Sequence, residues 1–179
     1  MEQLPQKKQT SNIAMISSGK LLTLYSPKTC FRHANKLKTI SDAINSKAPT
    51  IALLKKEKGE DFTRALVMAW IVYLNKLLDL KNPMNEEQIE LCADSILSDF
   101  KALKISDLTF VFKSITSGKY GKFYERLSIS DILSIFNEYF DERCNVAEQE
   151  TLRVHNDLKS DMTFSDSKNI KRILMDKNK

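Results

Sequence analysis

One stretch is dense in residue types that carry chemistry: Ser117-Gly118-Lys119-Tyr120-Gly121-Lys122-Phe123-Tyr124-Glu125-Arg126. It interleaves three cations (Lys119, Lys122, Arg126) with three rings (Tyr120, Phe123, Tyr124) and two glycines. Rings that stack on bases, beside cations that pair with phosphates, are what a single-stranded nucleic acid asks of its partner. The same residues admit a structural reading. Gly118 and Gly121 can supply left-handed backbone while the rings pack across the ends of two helices. A helix connector this long usually needs apolar anchors of its own.

Elsewhere the chemistry is sparse. Cys30 and His33 stand at i, i+3 and would make half of a zinc site, but no second pair completes a tetrahedral set, and His155 is isolated. The expectation is a small apolar Cys beside a surface His, with no metal. Cys92 and Cys144 fall on apolar helix faces and read as core residues, where a thiol is inert. The carboxylate pairs Glu86-Glu87, Asp141-Glu142 and Glu148/Glu150 fall on wet helix faces. The first pair also sits in a first turn, where the helix dipole favours negative charge. Neither G-x-x-x-x-G-K-[ST] nor G-x-G-x-x-G occurs, so no nucleotide cradle is signalled. No catalytic residue and no cofactor is expected, and the chain reads as a binding protein, not an enzyme.

The elements that must position these residues are helical. Ser26-Pro27 opens a short helix through Cys30 and Phe31, and Ile40, Ala43 and Ile44 share the face of a second. Pro49 opens a third helix, which Gly59 stops. Asp61 caps a strongly apolar segment, residues 62–80, whose stripe Leu66, Val67, Trp70, Ile71, Leu74, Leu77 and Leu78 marks the most buried helix of a bundle. Asn85 with Gln88 caps residues 86–100, Ser106 caps residues 107–117 with Gly118 as the stop, and Ser128 with Asp131 opens the last long helix, to about residue 160. Leu21-Leu22-Thr23-Leu24-Tyr25 is β-prone and reads as a short strand or extended lead-in. The expected architecture is an all-α helical bundle over residues 27–150, preceded by a basic polar arm (1–26) and followed by a helix extension and polar tail (151–179).

Composition agrees. Across 179 residues, 42% are apolar and 28% charged, which excludes wholesale disorder and fibres. Four Gly and four Pro are too few for the turns of an all-β fold. No run approaches the roughly 18 uncharged residues of a membrane span. The first residues hold no apolar secretory region, so the expected location is the cytoplasm. Charge is segregated: residues 1–60 carry eleven Lys/Arg against four Asp/Glu, residues 61–150 ten against fifteen, and residues 151–179 seven against four. A basic end reads either as a surface for nucleic acid or an acidic protein, or as a solvated flank.

Four segments together are similar to a known family: Met84-Asn85-Glu86-Glu87-Gln88-Ile89, Ile105-Ser106-Asp107-Leu108 with Val111-Phe112, residues 118–127, and Tyr139-Phe140-Asp141-Glu142-Arg143. Residues 60–150 resemble small all-helical proteins encoded on phages and mobile elements of gut Bacteroidales. The G-K-Y-G-K-F-Y run is the most specific part of the likeness. The layout is more loosely similar to phage replication proteins that load or restrain a helicase. The family of small helical proteins is mostly of unassigned function, and the resemblance implies a bacterial host. The first expectation for the chain itself is a role on a replication or other nucleic-acid machine, reached through a protein partner and possible nucleic-acid contacts. It transfers no functional residues. The other readings are an adaptor or inhibitor of a host system, or a virion component, with no nucleic-acid contact.

Overall fold

A computed structural model describes residues 13, 15–123 and 125–176, with side chains given through residue 157 and at 159. The chain is all-α. Its helices are α1 (Ser18–Leu24), α2 (Pro27–His33), α3 (Ile40–Asn45), α4 (Ile51–Lys58), α5 (Glu60–Leu78), α6 (Glu86–Asp99), α7 (Ile105–Thr116) and α8 (Ile129–Asp176), with a 3-10 turn at Ala34–Lys36. Among the described residues there is no strand, only a single antiparallel bridge between Thr50 and Lys104. The described residues fall into two units that divide between Phe140 and Asp141. The first is the helical bundle, and in the second, residues 141–176 are all helical.

Local chemistry sets most of the helix starts. Ser26 Oγ accepts from Thr29 N at 3.3 Å, with Pro27 in the first turn. Asn85 and Gln88 form a reciprocal capping box at 2.8 and 3.0 Å, and Ser128 with Asp131 does the same at 2.9 and 3.2 Å. Three starts differ from the sequence reading. Thr50, not Pro49, caps α4. Gly59 precedes α5, so Asp61 lies inside the first turn. Helix α7 begins at Ile105, two residues before its expected start, because the Asp107 carboxylate accepts from Lys104 N at 2.7 Å and frees Ser106 for a tertiary contact.

Two larger expectations are overturned. The β-prone run Leu21–Tyr25 is helical: Ser17 caps α1, Leu21 is fully buried, and Leu22 and Leu24 stay exposed. A lone strand here would find no partner for its backbone, and tertiary packing overrides a weak propensity. The last helix does not stop near residue 160 but continues to Asp176.

The core lies where α5, α6, α7 and the start of α8 meet. Helix α5 presents Leu66, Val67, Trp70, Ile71 and Leu74 inward, but Val72 and Leu77 are exposed, so it is not the most enclosed helix. That helix is α7, with nine of its twelve residues buried. Aromatic rings run through the core from Phe31 to Trp70, Phe112, Phe136 and Phe100, at centroid distances of 6.0, 5.4, 6.0 and 5.4 Å. Trp70 is fully buried, and its indole N–H donates to the Tyr25 carbonyl at 3.3 Å.

Polar groups on α7 fasten the short helices. Lys104 Nζ donates to the carbonyls of Ile44 (2.5 Å) and Ser46 (2.8 Å), closing the C-terminal end of α3. Ser106 Oγ donates to Ala43 O at 2.9 Å. Lys113 Nζ donates to Ala34 O and Leu37 O at 3.1 and 3.2 Å, after α2. On the buried side, Tyr139 of α8 donates to Asp107 Oδ1 at 2.5 Å.

Trp70→Ala is expected to cost about 3–5 kcal/mol through the cavity it leaves, measured by denaturant unfolding. Lys104→Met should cost about 1–3 kcal/mol, because the orphaned carbonyls lose their donors. Exposed Lys101→Met should change stability by less than about 0.5 kcal/mol.

Candidate functional site

The connector between α7 and α8 begins as a Schellman cap. Lys119 N donates to Ser114 O and Gly118 N to Ile115 O, both at 3.0 Å, with Gly118 at φ 80°. A second turn follows, Gly121 N donating to Gly118 O at 3.1 Å with Gly121 at φ 98°. Both glycines thus occupy the left-handed region that the sequence reading assigned them. The turns expose Lys119, Lys122 and Arg126. They lay Tyr120 and Phe123, both half-buried, against the core, and Leu127 is buried behind them. Tyr124 lies outside the described residues. Glu125 O accepts from Asn82 N at 2.9 Å, tying the connector to the loop before α6.

The site residues do not converge on one surface. Lys119, Tyr120 and Phe123 line a hollow of about 290 Å³ together with Asp131, Ser134, Ile135 and Glu138 of α8. Arg126 lines a different hollow of about 470 Å³, with Asn82, Pro83, Met84, Gln88 and residues 127–130, and Lys122 lines neither. The Lys119 ammonium stands 5.1 Å from the Tyr120 ring centroid, where it competes with any base for that face. Asp131 and Glu138 carry negative charge into the hollow that the rings share. Hydrogen bonds from Ser128 hold the Asp131 carboxyl below its ordinary range.

A second concavity went unread in the sequence. Between α1, α2, α3 and α7 lies an open groove of about 450 Å³. Its floor is Ile105, Ser106 and Thr109 of α7, all buried. Its walls are Leu24, Tyr25, Thr29 and Cys30 on one side and Leu37, Ser46 and Ala48 on the other, with His33, Lys36 and Lys47 at the exposed margins. Among the described residues no carboxylate lines it. Its parts come from segments far apart in sequence, and no periodicity reports that kind of meeting.

Of the thiols, Cys92 is buried as expected, and burial raises its pKa to about 12. Cys30 is half-buried in the groove and raised by burial to about 11. His33, its helical neighbour, is exposed. Cys144 contradicts the sequence reading: it is exposed, although the apolar spacing of the helix runs on through it. Among the described residues no three His, Cys, Asp or Glu side chains gather as metal ligands, and no helix is long and apolar enough to cross a membrane.

Fold and site together define an all-α bundle with a fastened connector and an apolar, cation-edged groove. Comparisons with protein-family models, with curated proteins and with solved structures each return no match.

Three outcomes test this geometry. Gly121→Val should lower stability by about 1–3 kcal/mol through backbone strain alone, since nothing lies within 4 Å of the added Cβ. Replacing Lys119, Lys122 and Arg126 together by Ala should stay within about 1 kcal/mol of wild type. In a disulfide-exchange assay on native protein near neutral pH, Cys144 should react first and Cys30 more slowly. Cys92 should wait for unfolding, because burial suppresses its thiolate.

Proposed function

We propose that the chain is a non-enzymatic binding protein whose bundle engages a protein partner. The observation that carries this reading is the groove over α7, an apolar concavity with cations at its margin and no carboxylate among its described lining residues. Concave apolar surface with a few polar groups around it is the usual form of a recognition site. The connector at residues 118–126 is, in this reading, a structural clasp. Its rings pack on the core and share their hollow with Asp131 and Glu138, which repel a phosphate backbone. The likeness of residues 60–150 to phage and mobile-element proteins supports that origin, and with it a replication or other nucleic-acid machine of the host or phage as the setting. The chain would then act on that machine as an adaptor or inhibitor rather than by gripping DNA or RNA at the connector.

Co-purification from cells, with and without nuclease, tests the reading. A partner set that survives nuclease supports it. A set lost with nuclease, together with salt-dependent oligonucleotide affinity that the Lys119/Lys122/Arg126 triple alanine variant flattens by about one unit of slope per lost phosphate contact, would return the connector to first place.

A further inference from the structure

The groove reading above leaves open what fills the groove, and the residues around it answer that question. We infer that the groove takes an acidic peptide segment of a partner protein, with one or more large apolar side chains seated against α7 and Asp or Glu side chains meeting the cations at the margin.

The apolar half of the argument rests on the floor. The Ser106 hydroxyl donates to Ala43 O at 2.9 Å and the Thr109 hydroxyl to Ile105 O at 2.8 Å. Both polar floor residues are therefore already engaged with this chain's own backbone. The lysines of α7 are engaged as well, Lys104 on two carbonyls and Lys113 on two more. What is left facing the groove is hydrocarbon, with Leu24 still 46% exposed at its edge. A surface with its donors already in use offers little to a phosphate or a base edge, but it suits an aliphatic or aromatic side chain.

The charged half rests on the margin. Residues 27–48, which build both walls beyond α1, carry Lys28, Arg32, Lys36, Lys38 and Lys47 against a single acid, Asp42. All five cations are exposed, and none takes part in the ion pairs Lys55–Glu60, Arg64–Asp61 and Arg64–Asp94. Asp42 does little to offset them, since its carboxylate accepts from Lys38 N and Thr39 N, both at 2.9 Å, at the start of α3. An acidic partner meets Lys36 and Lys47 at the margin and a basic segment around them. Exposed cations of this kind act through association rate and specificity, with a marked salt dependence.

The experiment pans the full chain against a displayed library of random peptides about twelve residues long. A synthetic copy of the most enriched sequence is then titrated into wild type and two variants confined to exposed positions, Lys36→Glu/Lys47→Glu and Leu24→Glu. Helicity and cooperative melting confirm that each variant is folded. The inference expects enrichment of sequences that combine Asp or Glu with Leu, Ile, Phe or Trp. It further expects about a tenfold or greater loss of affinity in each variant, with the wild-type affinity weakened by salt. Enrichment of basic or uncharged peptides overturns it, as does failure to enrich above the bare support. Peptides that bind equally to wild type and both variants overturn the groove assignment while leaving the protein-binding reading standing. Competition by a single-stranded oligonucleotide that both variants abolish overturns the peptide in favour of nucleic acid. The nuclease experiment decides the protein-binding reading separately.

Discussion

The bundle depends on a problem that its first sixty residues cannot solve alone. Helices α1, α2 and α3 have seven, seven and six residues, well below the length at which a helix holds in water. None ends in a glycine that would fold the chain back on its last carbonyls. Buried carbonyls without donors are costly, so the fold supplies donors from elsewhere. Lys104, Ser106 and Lys113 of α7 reach the carbonyls of Ile44 and Ser46, of Ala43, and of Ala34 and Leu37. One twelve-residue helix thereby terminates two others, and its burial on nearly all sides follows from that duty. The Asp107 carboxylate completes the arrangement, tying α7's own first turn to Tyr139 of α8.

The same solution shapes the surface. Because three side chains of α7 turn toward the backbone of the short helices, the face between them presents Ile105 and the methyl side of Thr109 rather than charge. The cations of the short helices have no such task and stay at the rim. An apolar floor inside a basic margin is thus a by-product of how the N-terminal half is held together. That is why the groove and the stability of α2 and α3 are expected to respond to the same residues.

Much of this was legible in the sequence, and the rest was not for identifiable reasons. The helix starts at Ser26, Asn85 and Ser128 could be read because a cap is a contact between residues three apart. The stop at Gly118 and the turn at Gly121 could be read because φ 80° and 98° exclude most other residues. Trp70 was placed correctly by helical periodicity. The β-prone leucines of α1 misled because propensity does not reveal whether a partner strand exists. Cys144 misled because the periodicity that sets Phe136 and Tyr139 inward continues into the second unit, and periodicity alone does not report burial. The roles of Lys104 and Lys113 were invisible, since a lysine on a carbonyl some sixty to eighty residues away leaves no local mark. The groove was invisible for the same reason.

The connector has a structural account that needs no ligand. A turn that leaves α7 and re-enters at α8 needs left-handed backbone, and glycine supplies it at two positions. It needs apolar anchors, and Tyr120, Phe123 and Leu127 pack on the core. It needs solubility, and Lys119, Lys122 and Arg126 remain in water. Glycine, aromatic and cation are also the ingredients of a single-strand platform, so composition cannot separate the two. Geometry can: a platform must offer its ring faces together and lie in positive potential. Here the Tyr120 face meets Lys119, the rings border Asp131 and Glu138, and Arg126 belongs to another hollow. The groove, by contrast, has Lys36 and Lys47 at its margin and no carboxylate among its described lining residues. In the proposed reading, the charge asymmetry of the sequence therefore points to the groove, while its most conspicuous motif serves the fold.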